Sequence, residues 1–190
     1  MRSFALTLAL LSGSAAFASF DLMLLGDNTT AGSERVIRYD PVNRVQLGSF
    51  GQGFLNAAVS DVAVDQSTNR AFVLQVNGGV RVFNYSTGAF IDGFTLPSSN
   101  YGAIGFDAAS NRITFGHGGG SGVSPGRVYD ASTFGLAADL AGTFMATAPL
   151  RRPGTSWYAS YGIDLAITNH IAYRHSITGG APLSLSLIHI

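Results

Sequence analysis

Two stretches of the sequence carry patterns that acyl-transfer enzymes use. His117-Gly118-Gly119-Gly120 matches the oxyanion loop of some lipases and esterases, and Gly122-Val123-Ser124-Pro125-Gly126 fits the G-x-S-x-G nucleophile elbow. The elbow needs a strand leading into the serine and a helix leading away, so that Oγ stands at a sharp, exposed turn. Here glycines precede Ser124, Pro125 follows it, and a strand pattern begins near Arg127. The two patterns also lie too close together to occupy separate parts of a hydrolase sheet. A glycine-rich loop between two strands accounts for both, and no catalytic residue is assigned.

Three histidines outside the extreme C-terminus, His117, His170 and His175, are the only weak candidates for metal ligation. His170 and His175 flank one strand pattern. Their odd separation places them on opposite faces of a regular strand, which is poor geometry for one ion. His117 could join only from a loop of a neighbouring unit, so loop and turn histidines are the simpler reading. Asp61 and Asp65 start no D-x-D-x-D-G calcium loop. Asp40, Asp65, Asp107 and Asp130 read as turn formers. Tyr39, Phe83, Phe115, Tyr129 and Trp157 fall at strand positions and read as core between packed units. No cofactor is implied.

Composition sets the class. Charged residues are only 12% of 190, and formal net charge is zero. All eleven basic residues are Arg, and Glu34 is the only Glu. Exposed helix faces are built mainly from Lys, Glu and Gln. Their scarcity beside 24 Gly and many Asp, Asn, Ser and Thr argues for strands and turns. No Arg cluster exceeds Arg151-Arg152, which gives no footprint for nucleic acid. Without Lys there is no Walker-type phosphate loop.

Residues 1–18 read as a signal peptide: Arg2 supplies the positive start, Phe4 to Leu11 the apolar run, and Ala16-Phe17-Ala18 the small-x-small cleavage site. The chain is therefore expected to be exported, to the periplasm or the cell surface, with no transmembrane segment once cleaved. Cys is absent, so stability must come from packing and sheet pairing. Asn28-Thr29-Thr30 and Asn84-Tyr85-Ser86 match the glycosylation sequon but carry little weight in a Lys-free, Cys-free chain of bacterial character.

The elements that would position any site come from a repeat. Val36–Arg44, Val80–Gly88, Gly126–Phe134 and Ile171–Gly179 each show a strand, a polar turn and a second apolar run. The residue before the turn is Tyr39, Phe83, Tyr129 and Arg174, so successive units are offset by 44, 46 and 45 residues. Asp40, Asn84 and Asp130 open the turn, where a short side chain can bond the backbone two residues on. Asn43 and Gly88 occupy positions expected to need a positive φ. His175 replaces the Asp or Asn in the fourth copy. A second element, Val64-Asp-Gln-Ser-Thr-Asn-Arg70, is echoed by Phe106-Asp-Ala-Ala-Ser-Asn-Arg112, each followed by an alternating run. Each period thus holds about four short strands, the size of a propeller blade.

Asp65-Gln-Ser-Thr-Asn-Arg-Ala-Phe-Val-Leu74, leading to Gly79-Val-Arg-Val-Phe-Asn-Tyr-Ser-Thr-Gly88, resembles the YVTN and NHL-like β-propeller repeats of exported bacterial proteins. The resemblance covers roughly residues 20 to 180 and is best in the second copy. It implies an all-β fold, an incomplete propeller of about four blades of roughly 45 residues, with four short antiparallel strands per blade. Such repeats are specific for architecture and nearly silent on activity; with turn chemistry throughout and no convergent catalytic residues, the expectation is a non-catalytic binding or scaffold module for a protein, glycan or cell-envelope partner. The alternatives are a lactonase-like hydrolase or lyase with a site near the central channel, and a surface-anchored structural protein. Gly51-Gln52-Gly53 and Leu96 to Gly102 are expected to join blades, and the 116–126 glycine loop is the first candidate for a functional surface.

The blades are expected to occupy residues 19–184. Leu185–Ile190 reads either as a strand or as an adapter-derived tail foreign to the gene, which together with an unclosed ring suggests a truncated product. Leu22–Leu25 stands in the place of Phe72–Leu74, which leaves an outer strand of the first unit to come from elsewhere.

Overall fold

The structure is a computed structural model, and it describes residues 23–28, 32–117, 126–140, 150–151, 157–163, 170–176, 178–180 and 184–188. The signal-peptide stretch 1–18 and most of the glycine loop lie outside those residues. The described residues are strands and turns with no helix. The strands form four antiparallel sheets, each a simple up-and-down meander. The first sheet holds β1 (Met23–Asp27), β2 (Arg35–Asp40) and β3 (Val45–Phe50). The second holds β4 (Val59–Asp65), β5 (Arg70–Gln75), β6 (Gly79–Asn84) and β7 (Phe90–Thr95). The third holds β8 (Tyr101–Asp107), β9 (Arg112–His117), β10 (Gly126–Asp130) and β11 (Leu136–Leu140). The fourth holds β12 (Leu150–Arg151), β13 (Trp157–Ile163), β14 (His170–Ser176) and β15 (Ser184–Ile188). The tail residues 185–188 therefore pair as an outermost strand with β14.

The turns follow from side-chain chemistry. Asp40 Oδ1 accepts the N–H groups of Val42 and Asn43 at 2.8 and 2.9 Å. Asn84 does the same for Ser86 and Thr87, and Asp130 for Ser132 and Thr133. These bonds hold the Asp40 and Asp130 carboxyls below the usual range, the Asn43 N–H leading at Asp40 and the Ser132 N–H at Asp130. The fifth turn residue then adopts a left-handed conformation, at Arg44 (φ 58°), Gly88 (φ 75°) and Phe134 (φ 54°). The expected position was Asn43, but Asn43 is the fourth residue and its N–H is committed to Asp40. The strain falls on Arg44 instead. A bulge before each turn, at Arg38/Tyr39, Val82/Phe83 and Val128/Tyr129, absorbs the extra residue.

The inner turns repeat this geometry with an asparagine at the left-handed position, Asn69 (φ 57°) and Asn111 (φ 52°). That asparagine also ties the two turns of its sheet together. Asn69 Oδ1 accepts from the Ser86 hydroxyl at 2.8 Å, and its backbone oxygen accepts from Tyr85 N–H. Asn111 Nδ2 donates to Ser132 Oγ at 2.8 Å, and Ala131 N–H bonds the Asn111 backbone oxygen.

Neighbouring sheets meet along their first strands: β4 packs on β8, and β8 on β12. β1 packs on β4 and β5 on β8. Further out, each outer strand meets a left-handed turn residue of the next sheet, through a different contact each time. Phe50 sits over Gly88, Phe94 stacks on Phe134 with ring centroids 4.9 Å apart, and Leu140 bridges to Gly180. The main cluster between the second and third sheets includes Phe72, Leu74, Val82, Ile113 and Phe115, all without exposed surface. Each such side chain contributes roughly 1.5–3 kcal/mol by leaving water. Of the aromatics expected in the core, Phe83, Phe115 and Tyr129 are buried and Tyr39 is half-buried, while the Trp157 side chain is outside the described residues.

The register also relocates the open strand position. Met23 pairs with Tyr39 as Ala71 pairs with Phe83, so β1 is the counterpart of β5. Among the described residues, the place left open in the first sheet is therefore the inner one, matching β4, and not an outer strand.

Candidate functional site

The two ends of the sheets differ in chemistry. One end carries the paired turns 65–69 with 84–88, and 107–111 with 130–134, closed by the asparagine bonds above. The other end carries the connections Gly51–Ala58, Val76–Gly78 and Leu96–Asn100, together with both ends of the glycine loop. Gly51–Gly53 lies in a connection between consecutive sheets, and so does Leu96–Asn100, while Tyr101 and Gly102, expected in the same connection, already belong to β8. Ser124 and the glycines before it lie outside the described residues, but Gly126 opens β10, a strand, where a nucleophile elbow requires a helix.

At the loop end a cleft of about 200 Å³ lies between β1 and β4, lined by Leu24, Leu25, Gly26, Val59, Ser60, Asp61 and Val62. Its polar groups hold sheets together. Asp61 Oδ2 accepts from Ile104 N–H of the next sheet at 2.9 Å, and Oδ1 accepts from Val62 N–H at 2.8 Å. Ser60 Oγ donates to the Gly102 oxygen at 2.9 Å. Asn28 is consumed in the same way, donating to the Val59 oxygen at 2.8 Å and accepting from Val59 N–H at 2.7 Å. Neither Asp61 nor Ser60 is set up as a base or nucleophile, because each already serves a backbone group.

Near the glycine loop, Tyr101, Arg127 and Asp139 form a second polar group. Arg127 Nε stands 3.0 Å from Asp139 Oδ1. Burial pushes the Tyr101 phenol up to about 12, against the opposing pull of the Arg127 guanidinium. The Arg127 guanidinium donates to the neutral Tyr101 phenol oxygen, and at neutral pH such a phenol is no base.

The candidate histidines divide between the ends. His117 closes β9 opposite Tyr101, and His170 opens β14 opposite Ile163, both next to loops at the loop end. Their side chains are outside the described residues. His175 sits five residues further along β14, about 16 Å away at strand rise. It is fully buried at the turn end, so the three do not converge. Among the described residues, no group of three metal-ligating side chains assembles. The polar bridges of Asn28, Asp61, Asn69 and Asn111, and the Tyr101–Arg127–Asp139 group, were not picked out as a site from sequence. The Asp61 and Asn28 bridges reach 43 and 31 residues along the chain, and no local pattern announces such a partner.

The Asp65 turn locks sheets two and three. Burial pushes the Asp65 carboxyl up, but bonds from Ser67, Thr68 and Arg70 outweigh it and hold it at about 2. Arg70 pairs with Asp65 at 3.0 Å and also donates to the Ala131 oxygen at 2.5 Å in the next sheet.

No protein-family description matches the chain, and no curated protein matches it. Solved structures do. Hydrazine synthase of Kuenenia stuttgartiensis aligns with a TM-score of 0.68 at 12% identity, over 82% of this chain and 43% of that one. The computationally designed Ika8 protein aligns with a TM-score of 0.62 at 16% identity, over 87% of this chain and 46% of that one. The chain thus spans less than half the length of either. At these identities the likeness concerns the arrangement of sheets alone.

Proposed function

We propose that the four sheets are consecutive blades of a β-propeller of the YVTN/NHL-like kind, exported and acting as a non-catalytic binding scaffold. The observation that carries the propeller reading is that each outer strand meets a left-handed turn residue of the next sheet, Phe50 at Gly88, Phe94 at Phe134 and Leu140 at Gly180. Consecutive sheets that meet at corresponding places support a radial array. The scaffold reading is supported by Asn28, Ser60 and Asp61 at the loop end, each of which bonds the backbone of a neighbouring sheet. A rigid body with locked turns at one end and longer connections at the other presents the latter to a partner. The partner is a protein, a glycan or a cell-envelope component, and export rests on the composition of residues 1–18.

The test compares the two ends. Purified protein is assayed against defined glycans and fractionated envelope, with Gln52→Arg and Val76→Arg at the loop end and Ser132→Arg at the turn end, all exposed positions. Loss of binding confined to the loop-end variants supports the reading, and equal loss at both ends overturns it. Metal analysis of the same protein addresses the hydrolase or lyase alternative. A stoichiometric divalent ion that is lost in His117→Gln or His170→Gln would replace the scaffold by an enzyme.

A further inference from the structure

Arg81 of β6 and Arg127 of β10 hold equivalent places. Each precedes the residue that opens the outer turn, Asn84 or Asp130, by the same interval, and each pairs with the same place on the strand before it, Val73 or Phe115. Their surroundings differ in one respect. Opposite Arg127 on the outer strand stands Asp139, and the two form an ion pair at 3.0 Å. Opposite Arg81 stands Gly93. A Cβ on Gly93 would stand 3.0 Å from Arg81 Cδ and 3.3 Å from its Nη1, so the guanidinium lies over the bare glycine. Among the described residues no carboxylate forms an ion pair with Arg81. Asp92, the acid of β7, instead accepts from Gly93 N–H at 2.7 Å. What holds Arg81 is neutral. Nε donates to the Phe54 backbone oxygen at 3.4 Å and Nη1 to the Val80 oxygen at 3.3 Å, both long bonds. A Cβ built on Gly79 would stand 3.0 Å from both Gln75 Oε1 and Asn77 Oδ1 and 3.6 Å from Arg81 Nη1, so two amide oxygens converge beside the guanidinium. Gln75 is fully buried and its Oε1 has no hydrogen-bond partner. Neutral oxygens orient a guanidinium without cancelling its charge, and Arg81 is half-buried, so that charge is also short of water.

Phe54 brings an aromatic surface to the same place. Its ring stacks on Phe90 with centroids 4.6 Å apart and planes 10° apart, yet the two remain 50% and 40% exposed. Both meet the buried Phe83 edge-on, at 6.3 and 5.7 Å, which holds the stack in position. We propose that this corner of the second sheet binds an acidic glycan: Arg81 takes a uronate carboxylate, and the Phe54–Phe90 stack takes the apolar face of a sugar ring beside it. A pyranose carries C–H groups on one face, which pack on an aromatic ring, and a uronic acid adds a planar carboxylate that the guanidinium fork can grip. Asn56 and Asn77, both exposed and bonded to each other at 3.3 Å, stand next to the site with amide groups for sugar hydroxyls. The ligand supplies to Arg81 the carboxylate that Asp139 supplies to Arg127, so the equivalent place on the third sheet is already filled from within. This inference rests on the scaffold reading above and gives it a ligand class and a site, since the Gly51–Ala58 connection that carries Phe54 belongs to the loop end.

The experiment is isothermal titration calorimetry on the full chain at low ionic strength with three probes: a galacturonate oligomer, its carboxyl-reduced neutral counterpart, and an aspartate peptide of the same charge. The galacturonate oligomer alone should bind. Arg81→Gln should weaken it roughly ten- to hundredfold, and Phe90→Leu about three- to tenfold. Arg81→Lys keeps the charge but loses the fork, so it should weaken binding by less than Arg81→Gln, and it decides the matter should Arg81→Gln fail to fold. Arg44→Gln removes an exposed arginine at a distant turn and should change nothing. Failure of the galacturonate oligomer to bind, equal binding of the neutral oligomer or of the aspartate peptide, or unchanged affinity in the Arg81 variants overturns the site. Envelope or glycan binding that Gln52→Arg and Val76→Arg abolish but Arg81→Gln leaves intact overturns this site and leaves the scaffold reading standing. Equal loss at both ends of the sheets overturns that reading as well.

Discussion

Replacing Gly88 by alanine tests the junction between the first and second sheets directly. The substitution carries two costs. The first is backbone strain: Gly88 has φ 75°, and an L-residue held in the left-handed region loses about 1–2 kcal/mol. The second is steric: the new Cβ would stand 2.5 Å from Phe50 Cβ and 3.0 Å from its Cγ. Phe50 is 8% exposed with its ring 5.1 Å from that of Phe83, so it has little room to retreat. Overpacking of this kind costs about 1–3 kcal/mol. Gly88→Ala should therefore destabilise by about 2–5 kcal/mol. Gly53 separates the terms, because it has φ 83° with nothing within 4 Å of a built Cβ. Gly53→Ala should cost only the backbone term of about 1–2 kcal/mol. Urea denaturation of both variants gives the comparison at unchanged m. A double-mutant cycle completes it: in a Phe50→Gly background, which removes the Cβ as well as the ring, the Gly88→Ala penalty should fall to the backbone term alone. Equal losses for Gly88→Ala and Gly53→Ala, or no coupling between positions 50 and 88, would refute the junction.

Three further expectations share the same material. Asn69→Gly keeps the left-handed backbone but removes the side-chain bonds to Ser86 and Asn84, so urea denaturation should show a loss of about 1–2 kcal/mol that a positive-φ argument alone does not predict. Arg70→Lys keeps the charge beside Asp65 but loses the forked reach to the Ala131 oxygen, and calorimetry should find a lower Tm by several degrees, whereas an unchanged Tm would place that bond among the dispensable ones. Asp65 has a folded pKa of about 2, below its unfolded value, so its contribution is present above about pH 4 and is lost as pH falls through about 2. In denaturation curves taken across that window, wild type should lose up to about 2.5 kcal/mol more than Asp65→Asn does.

Much of the secondary structure was legible because its causes are local. An Asp or Asn two residues before a bonded N–H marks a turn wherever it occurs, and alternation marks a strand, so the units at Tyr39, Phe83 and Tyr129 stand out without tertiary information. The fourth unit was harder to read for a local reason too. With His175 in place of the acceptor, the turn slips to Ser176, and a slip of one residue decides whether that imidazole faces water or the core. Asn43 misled in the same way: it has the right residue type for a positive φ, but its N–H is taken by Asp40 and Arg44 bears the strain.

The sequence by itself determined that this chain is built of strands, and where most polar turns begin, because hydrogen bonds within five residues set those features. Only the tertiary structure decided what the units do to one another. That Gly88, Phe134 and Gly180 each meet the outer strand of the preceding sheet cannot be read locally, since a glycine, a phenylalanine and a glycine share no side-chain property. What they share is a left-handed backbone conformation, met by Phe50, Phe94 or Leu140 from about 40 residues earlier. The same holds for Asp61 and Asn28, whose acceptors and donors were spent on neighbouring sheets before any ligand could claim them.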